Sequence, residues 1–121
     1  MVNRESDTKP PVCEVECVHT DTVNRVRPLA NTVAGVGDLF GLLADQTRLK
    51  IVYGLSHSEL CVCDAAAIAD VTTAAASYHL RLLHKAGLVE YRRDGRLVYY
   101  RLSDGSLREL VEAAVAFAAR A

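Results

Sequence analysis

The 121-residue sequence predicts a mostly helical α+β fold, and two features of its apolar pattern predict it. Between residues 23 and 86, apolar side chains recur at helical spacing in several short runs. After Gly87 the period changes to two, and Asp94-Gly95 divides two alternating runs, which is typical of a β-hairpin. Two helices joined by a short turn and followed by a basic hairpin form a winged helix-turn-helix.

The first half of the chain predicts three helices. Residues 23–34 can form the first, with Pro28 limiting its start or kinking it. Apolar residues continue at helical spacing through residues 33–43. A third helix begins after Asp45, a suitable N-cap, and ends at Gly54 and the polar residues that follow it.

The helix-turn-helix is predicted in the middle of the chain. A short helix covers residues 62–69, and a turn follows it. Thr72 or Thr73 then caps a longer helix over residues 74–86, which Gly87 stops. The second helix carries more exposed polar groups, as a helix that reads DNA requires.

The hairpin and a last helix complete the prediction. Asp94-Gly95 favours a type I′ turn at the tip of the hairpin. The last helix covers residues 104–119, with Ser103 or Ser106 as its cap and Glu109 completing a capping box with Ser106. Its apolar face is wider than so small a core needs. We therefore expect the N- and C-terminal helices to form a homodimer surface.

Composition predicts one globular domain, since half of the residues are apolar. We divide the chain into a flexible arm, residues 1–20, and a DNA-binding and dimerisation domain, residues 21–121. Residues 1–11 lack the apolar core of a signal peptide, and no stretch approaches the roughly 18 apolar residues of a membrane span. We therefore expect a cytoplasmic protein without membrane contacts.

Four cysteines are the candidate metal ligands: Cys13 and Cys17 in the arm, and Cys61 and Cys63 at the start of the short helix. Structural disulfides are rare in the cytoplasm, which favours metal or redox chemistry. Thiolates suit Cd(II), Pb(II), Zn(II) and trivalent arsenic or antimony. A thiol-based redox switch is the alternative use of the same side chains.

Positive charge gathers where the predicted helix-turn-helix and hairpin lie, although the formal net charge is -1. Residues 73–101 contain six Lys or Arg residues against Glu90 and Asp94. Hydroxyl, guanidinium and ammonium groups there can bind base edges or phosphates of double-stranded DNA. For His79 a packing role is as well supported as a DNA contact. The candidate DNA contacts are Thr73, Ser77, Tyr78, His79, Arg81, Lys85, Arg92, Arg93 and Arg96.

Three stretches resemble the ArsR/SmtB family of metal-sensing repressors, and most of all its cadmium- and lead-responsive members. They are residues 44–51 (ADQTRLKI), 59–64 (ELCVCD) and 77–89 (SYHLRLLHKAGLV), within a resemblance that covers roughly residues 20–120. The resemblance implies a homodimeric repressor that binds an inverted-repeat operator and leaves it when metal binds. It also implies that Cys61 and Cys63 of one chain bind metal together with Cys13 and Cys17 of its partner.

The sequence departs from the family at two places. A second metal site on the last helix of some members would need Asp, two His and Glu. Here Asp104 matches, but the other three positions hold Ser106, Phe117 and Arg120, so we expect no such site. Arsenic-sensing members often carry a third cysteine where this chain has Ala66, which argues against an arsenic site within that helix alone.

An enzyme is disfavoured. A thiol enzyme such as an arsenate reductase needs a glycine-rich phosphate loop after its nucleophile or a histidine paired with it, and the sequence contains neither pattern.

Overall fold

A computed structural model describes residues 9–121, so the first eight residues of the predicted arm lie outside the described residues. Six helices and three strands follow one another, with a 3-10 turn at Asn31–Val33. They are α1 Thr20–Ala30, α2 Ala34–Leu43, α3 Gln46–Leu55, β1 Leu60–Cys61, α4 Val62–Ala69, α5 Thr73–Lys85, β2 Val89–Asp94, β3 Leu97–Leu102 and α6 Gly105–Arg120. The strands form one antiparallel sheet in the order β1-β3-β2. This confirms the predicted α+β class.

The core lies between α3, α4, α5 and one face of the sheet, with α6 packed against it. The largest fully buried side chains are Ile51, Val52, Leu80, Leu83 and Val89. Leu80, Leu83 and Ala76 are completely buried, as the helical spacing of α5 predicts. The buried face of α5 thus fixes which of its other residues remain available on the opposite face.

Residues at the helix ends determine where the two helices of the helix-turn-helix begin and end. Asp70 ends α4 in the left-handed conformation, with φ 58°. Thr72 then caps α5, because its hydroxyl accepts a hydrogen bond from the backbone N–H of Ala75 at 3.0 Å. Gly87, with φ 83°, follows α5 as predicted.

The predicted N-cap of α3 is confirmed. A carboxylate oxygen of Asp45 accepts the backbone N–H of Arg48 at 3.0 Å. That hydrogen bond holds the pKa of Asp45 below its ordinary value.

The predicted first helix is placed too late in the sequence. α1 begins at Thr20 and ends two residues after Pro28, which lies inside it. The Thr32 hydroxyl donates to the carbonyl of Leu29 at 2.8 Å, within the 3-10 turn that separates α1 from α2. Pro28 therefore lies near the end of this helix and does not limit its start.

The hairpin is confirmed, but its turn is not the one predicted. Asp94 pairs with Leu97, so the two loop residues are Gly95 and Arg96. A positive φ occurs at Gly95 (62°) and not at Arg96, which is the pattern of a type II′ turn and not of type I′. β2 includes Asp94, the first residue of the Asp-Gly pair, which moves the two-residue loop one position towards the C-terminus.

The predicted cap of α6 is also wrong. The Asp104 carboxylate, not Ser103 or Ser106, accepts the backbone N–H of Ser106 at 2.8 Å. This bond lowers the pKa of Asp104. Because the helix begins at Gly105, Ser106 lies inside the first turn and does not form the capping box with Glu109.

The outer helices leave apolar surface open in a single chain. α1 buries no residue, and α2 buries Leu43 alone. A groove of about 560 Å³ runs between α2 and α6. It is lined by Phe40, Leu43, Ala44, Leu49, Leu110, Val111, Ala113, Ala114, Val115, Phe117 and Ala118. Among the described residues, no helix is long and apolar enough to span a bilayer.

Candidate metal and DNA-binding sites

A two-residue strand positions Cys61. β1 pairs with β3 so that Leu60 lies opposite Tyr100 and Cys61 opposite Tyr99. Cys61 is also the residue immediately before α4, with an extended backbone. It therefore joins the sheet to the first helix of the helix-turn-helix, and it is 7% exposed.

Cys63 differs from Cys61 in its surroundings. It lies in the first turn of α4 and is exposed. The Cys-x-Cys pair thus offers one buried and one accessible thiol at a single helix start.

The arm cysteines lie outside any helix. Cys13 and Cys17 are exposed, with a bend at residues 14–15 between them. All four cysteines are free. Within residues 9–121 of one chain, no group of three or more His, Cys, Asp or Glu side chains is placed to hold a metal ion.

The donor chemistry nevertheless fits a soft metal ion. Four free thiols are present, and three of them are accessible. The arm can supply its sulfurs at a distance, since Cys13 precedes the start of α1 by seven residue steps, which span up to about 25 Å when extended. One chain holds half of a possible four-thiolate site at the start of α4 and the other half in its arm.

Arg92 is bound to a carboxylate beside the cysteines. Its NH2 donates to Glu59 Oε1 at 2.8 Å and its Nε to Oε2 at 3.0 Å. The guanidinium carbon also lies 4.6 Å from the centre of the Tyr99 ring. The hydrogen bond lowers the pKa of Glu59 and raises that of Arg92. Nothing in the sequence indicated this role for Glu59, because its partner is 33 residues away.

The exposed side of α5 presents most of the candidate DNA contacts. Thr73, Tyr78, Arg81 and Lys85 are exposed, and Ser77 is half-buried. The Arg81 guanidinium donates to the Ser77 hydroxyl at 2.6 Å. The two side chains therefore form a preassembled polar pair on the face away from the core.

His79 faces a different neighbour. It is half-buried, and its Nδ1 lies 3.2 Å from NH1 of Arg48. Because arginine can only donate, Nδ1 must accept, which places the ring proton of a neutral His79 on Nε2. Arg48 Nε also donates to the carbonyl of Leu42 at 2.8 Å. His79 thus links α5 to the junction of α2 and α3, as the packing alternative requires.

The basic side chains of the wing, β2 and β3, fall into two groups. Arg92 and Arg101 are paired with Glu59 and Glu90, each pair at 2.8 Å. Arg93 and Arg96 are exposed and form no ion pair with any described residue. The positive charge that is free to meet phosphate on the wing is therefore concentrated at the last two.

Comparisons with known proteins place the chain in a family. A family model described as "Bacterial regulatory protein, arsR family" matches residues 45–91. A cadmium resistance transcriptional regulatory protein CadC homolog of Staphylococcus aureus is 47% identical, with 85% of this chain and 88% of the relative covered. A transcriptional repressor SmtB homolog of Synechocystis is 40% identical, with 83% of this chain and 78% of the relative covered.

A solved structure supports the same placement. The homodimeric winged helix-turn-helix DNA-binding domain of a Mycobacterium bovis protein, a possible ArsR-family transcriptional regulator, superposes with a TM-score of 0.61 at 33% identity. The match covers 78% of this chain and 84% of that one. The chain therefore belongs to the arsR family of bacterial regulatory proteins, which confirms the predicted winged helix-turn-helix regulator and the expectation that it is not an enzyme.

Proposed function

We propose that the protein is a metal-responsive transcriptional repressor whose homodimer binds operator DNA without metal and releases it when thiolates bind a soft metal ion. The observation that carries the proposal is the position of Cys61, paired to the wing strand β3 on one side and starting α4 on the other. A ligand bound there acts on both parts of the DNA-binding unit. The relatives named for cadmium resistance and for repression support this reading.

The metal ligands in this proposal are Cys61 and Cys63 of one chain with Cys13 and Cys17 of its partner. Soft thiolates favour Cd(II) and Pb(II), with Zn(II) as a further candidate. Four thiolates suit the tetrahedral preference of Cd(II) or Zn(II), and three suit Pb(II) or As(III). Thiols must lose their protons to bind, so loading the site releases protons to the buffer.

The DNA partner is a double-stranded operator with two half-sites in inverted repeat. α5 enters the major groove in the manner of a recognition helix, offering Thr73, Ser77, Tyr78 and Arg81. Arg93 and Arg96 on the wing, with Lys85 at the end of α5, contribute phosphate contacts. His79 orients α5 through Arg48 and is therefore assigned a positioning role.

Release follows from the geometry that two half-sites demand. The dimer must hold two α5 helices one helical turn of DNA apart, or a multiple of it. Thiolates drawn together from the arm and from α4 restrain the segment that joins α4 to the sheet. A coupling of about 1–3 kcal/mol between the two sites is typical of such regulators and suffices to empty an operator.

A metal titration of the reduced protein on a fragment of its own promoter tests the proposal. Fluorescence anisotropy reports the bound DNA, and the ultraviolet thiolate-to-metal charge-transfer band reports metal on the same sample. We expect Cd(II) or Pb(II) to release DNA as the band grows, and Cys61→Ser to remain bound. Ala67→Ser, an exposed position of α4, is the matched control and should respond as the wild type does.

Two outcomes contradict the proposal. DNA that stays bound while the band grows would identify a structural or scavenging site. DNA released by diamide or peroxide without metal would instead support a redox-sensing regulator, the second candidate, because three of the four free thiols are accessible to oxidants.

Mixed dimers test the crossed arrangement of the arm. A Cys13→Ser/Cys17→Ser chain and a Cys61→Ser/Cys63→Ser chain each lack half of the ligands. If the arm serves the partner, their heterodimer contains one complete site, and mixing the two proteins restores part of the charge-transfer band. If each arm serves its own chain, mixing restores nothing.

A further inference from the structure

We propose that the Glu59–Arg92 ion pair transmits the state of the cysteine segment to the wing, which makes Glu59 a positioning residue for DNA release. The inference rests on the proposed function and names the contact through which that site is coupled to DNA. Glu59 precedes Cys61 by two residues, whereas Arg92 belongs to β2, at the opposite edge of the sheet.

The pair spans the full width of the sheet. Cys61 lies opposite Tyr99 on β3, and Tyr99 lies opposite Arg92 on β2, so the three residues form one row. Side chains directly opposite one another in a sheet point to the same face. Arg92 accordingly lies over the Tyr99 ring, 4.6 Å from its centre, and reaches the Glu59 carboxylate beyond it.

The ion pair between Arg92 and Glu59 is bidentate, so it fixes how the two side chains are oriented. Two nitrogens of the planar guanidinium meet two oxygens of one carboxylate, at 2.8 and 3.0 Å, and such a fork fixes orientation as well as distance. Backbone pairing ties the cysteine segment to β3 alone. The ion pair adds a direct tie to β2, the strand that carries Arg93 and leads to Arg96.

The same contact removes Arg92 from the candidate phosphate ligands. Its Nε and NH2 both donate to Glu59, and NH1 lies 3.8 Å from the Asp94 carboxylate. Its charge is therefore balanced by Glu59 and Asp94, whereas Arg93 and Arg96 have no carboxylate partner in the described part of the chain. Movement of Glu59 with the cysteine segment repositions Arg92, and with it the strand that presents the other two arginines.

The expected effect is limited by exposure. Both side chains are partly exposed, at 53% for Arg92 and 34% for Glu59. Exposed ion pairs shift an equilibrium by up to about fivefold, and the bidentate, ring-stacked geometry places this pair near that upper value. The ion pair thus carries a share of the coupling, and the β1–β3 backbone pairing carries the remainder.

The chain provides a matched control for the test. Glu90 and Arg101 form a second ion pair on the same sheet, also at 2.8 Å, and it does not include the cysteine segment. Glu59→Gln and Glu90→Gln remove the same charge from the same surface. The two substitutions should therefore change the nonspecific electrostatic attraction of DNA equally. Any difference between the two variants in metal-induced DNA release then comes from the place of Glu59 beside the cysteines.

The measurement is the ratio of operator affinities without metal and with Cd(II), together with the midpoint of the charge-transfer band in a Cd(II) titration of the protein without DNA. We expect Glu59→Gln to lower this ratio two- to fivefold and leave the midpoint unchanged, while Glu90→Gln keeps the wild-type ratio. The exchanged pair Glu59→Arg/Arg92→Glu should restore the ratio. For the metal-free protein, Arg92→Gln should leave the salt dependence of DNA binding unchanged.

Three results would overturn the inference while the proposed function stands. The first is an affinity ratio in Glu59→Gln equal to that of the wild type, and the second is an equal fall of this ratio in Glu90→Gln. The third is a slope of log affinity against log salt that drops by about one in metal-free Arg92→Gln, which would make Arg92 a phosphate contact. A wild-type protein that keeps its DNA on loading with Cd(II) would instead overturn the proposed function, and the inference with it.

Discussion

The winged half of the molecule, which binds DNA in the proposal, buries its own core within one chain. The outer helices α1, α2 and α6 instead leave large apolar side chains exposed. All of the largest fully buried side chains come from α3, α5 and β2. By contrast, Leu29 of α1 is 65% exposed, Phe40 of α2 53% and Phe117 of α6 51%. Exposed apolar side chains on neighbouring helices are typical of surfaces that bind another chain. The difference is the one that the proposed homodimer requires, because in that dimer a second chain covers the outer helices.

A pair of identical substitutions tests the comparison most strongly. Leu80 is completely buried, so Leu80→Ala should lower the free energy of unfolding by about 2–5 kcal/mol. Leu29→Ala should leave the free energy of unfolding almost unchanged in dilute protein and lower it more as the concentration rises, because in the proposed dimer a second chain covers α1. Urea unfolding at several protein concentrations measures both. A concentration-independent cost for Leu29→Ala would mean that the chain covers α1 by itself.

A charge placed in the groove between α2 and α6 should separate the dimer. Ala114 lines that groove and Ala116 does not, although both are exposed residues of α6. Burying an aspartate in an apolar interface costs about 3 kcal/mol, so Ala114→Asp should weaken dimerisation roughly a hundredfold. Ala116→Asp is the control, and sedimentation equilibrium is the measurement. Equal behaviour of the two variants would exclude the groove from the interface.

The turn between α4 and α5 allows a test within the winged half, with a smaller expected change in the free energy of unfolding. Thr72 accepts the N–H of Ala75, whereas Thr73 makes no cap contact. Thr72→Ala should therefore lower the free energy of unfolding by about 1 kcal/mol and Thr73→Ala by much less. Thermal unfolding of the two variants measures this. The reverse order would assign the cap to Thr73, which the sequence left open.

Features that depend on residues close in sequence could largely be predicted from the sequence. The cap at Asp45 and the end of α5 before Gly87 depend on neighbours a few residues away, and their prediction is confirmed. Of the two threonines predicted as alternative caps of α5, Thr72 forms the cap. The predicted turn type is wrong because Asp94 pairs with Leu97, which leaves Gly95 and Arg96 as the loop. The predicted α6 cap is wrong because Asp104, which lies between the two candidate serines, accepts the backbone N–H of Ser106.

Contacts distant in sequence could not be predicted. β1 has two residues, too few for an alternating pattern, yet its pairing with β3 positions Cys61. Arg48 meets His79 across 31 residues, and Glu59 meets Arg92 across 33. The assignments of the cysteines to metal and of the α5 and wing residues to DNA remain predictions. They depend on a second chain, an ion and a duplex.

The smallest expected effect is on the salt dependence of DNA binding, and it concerns the basic residues of the wing. Arg96 lies in the turn without a carboxylate partner among the described residues, whereas Arg101 is paired with Glu90. Each phosphate contact contributes about 0.9 to the slope of log affinity against log salt. Arg96→Gln should lower that slope by about one for operator and nonspecific DNA alike, and Arg101→Gln should not. An unchanged slope in Arg96→Gln would mean that the wing tip stays away from the backbone and that α5 holds the DNA without it.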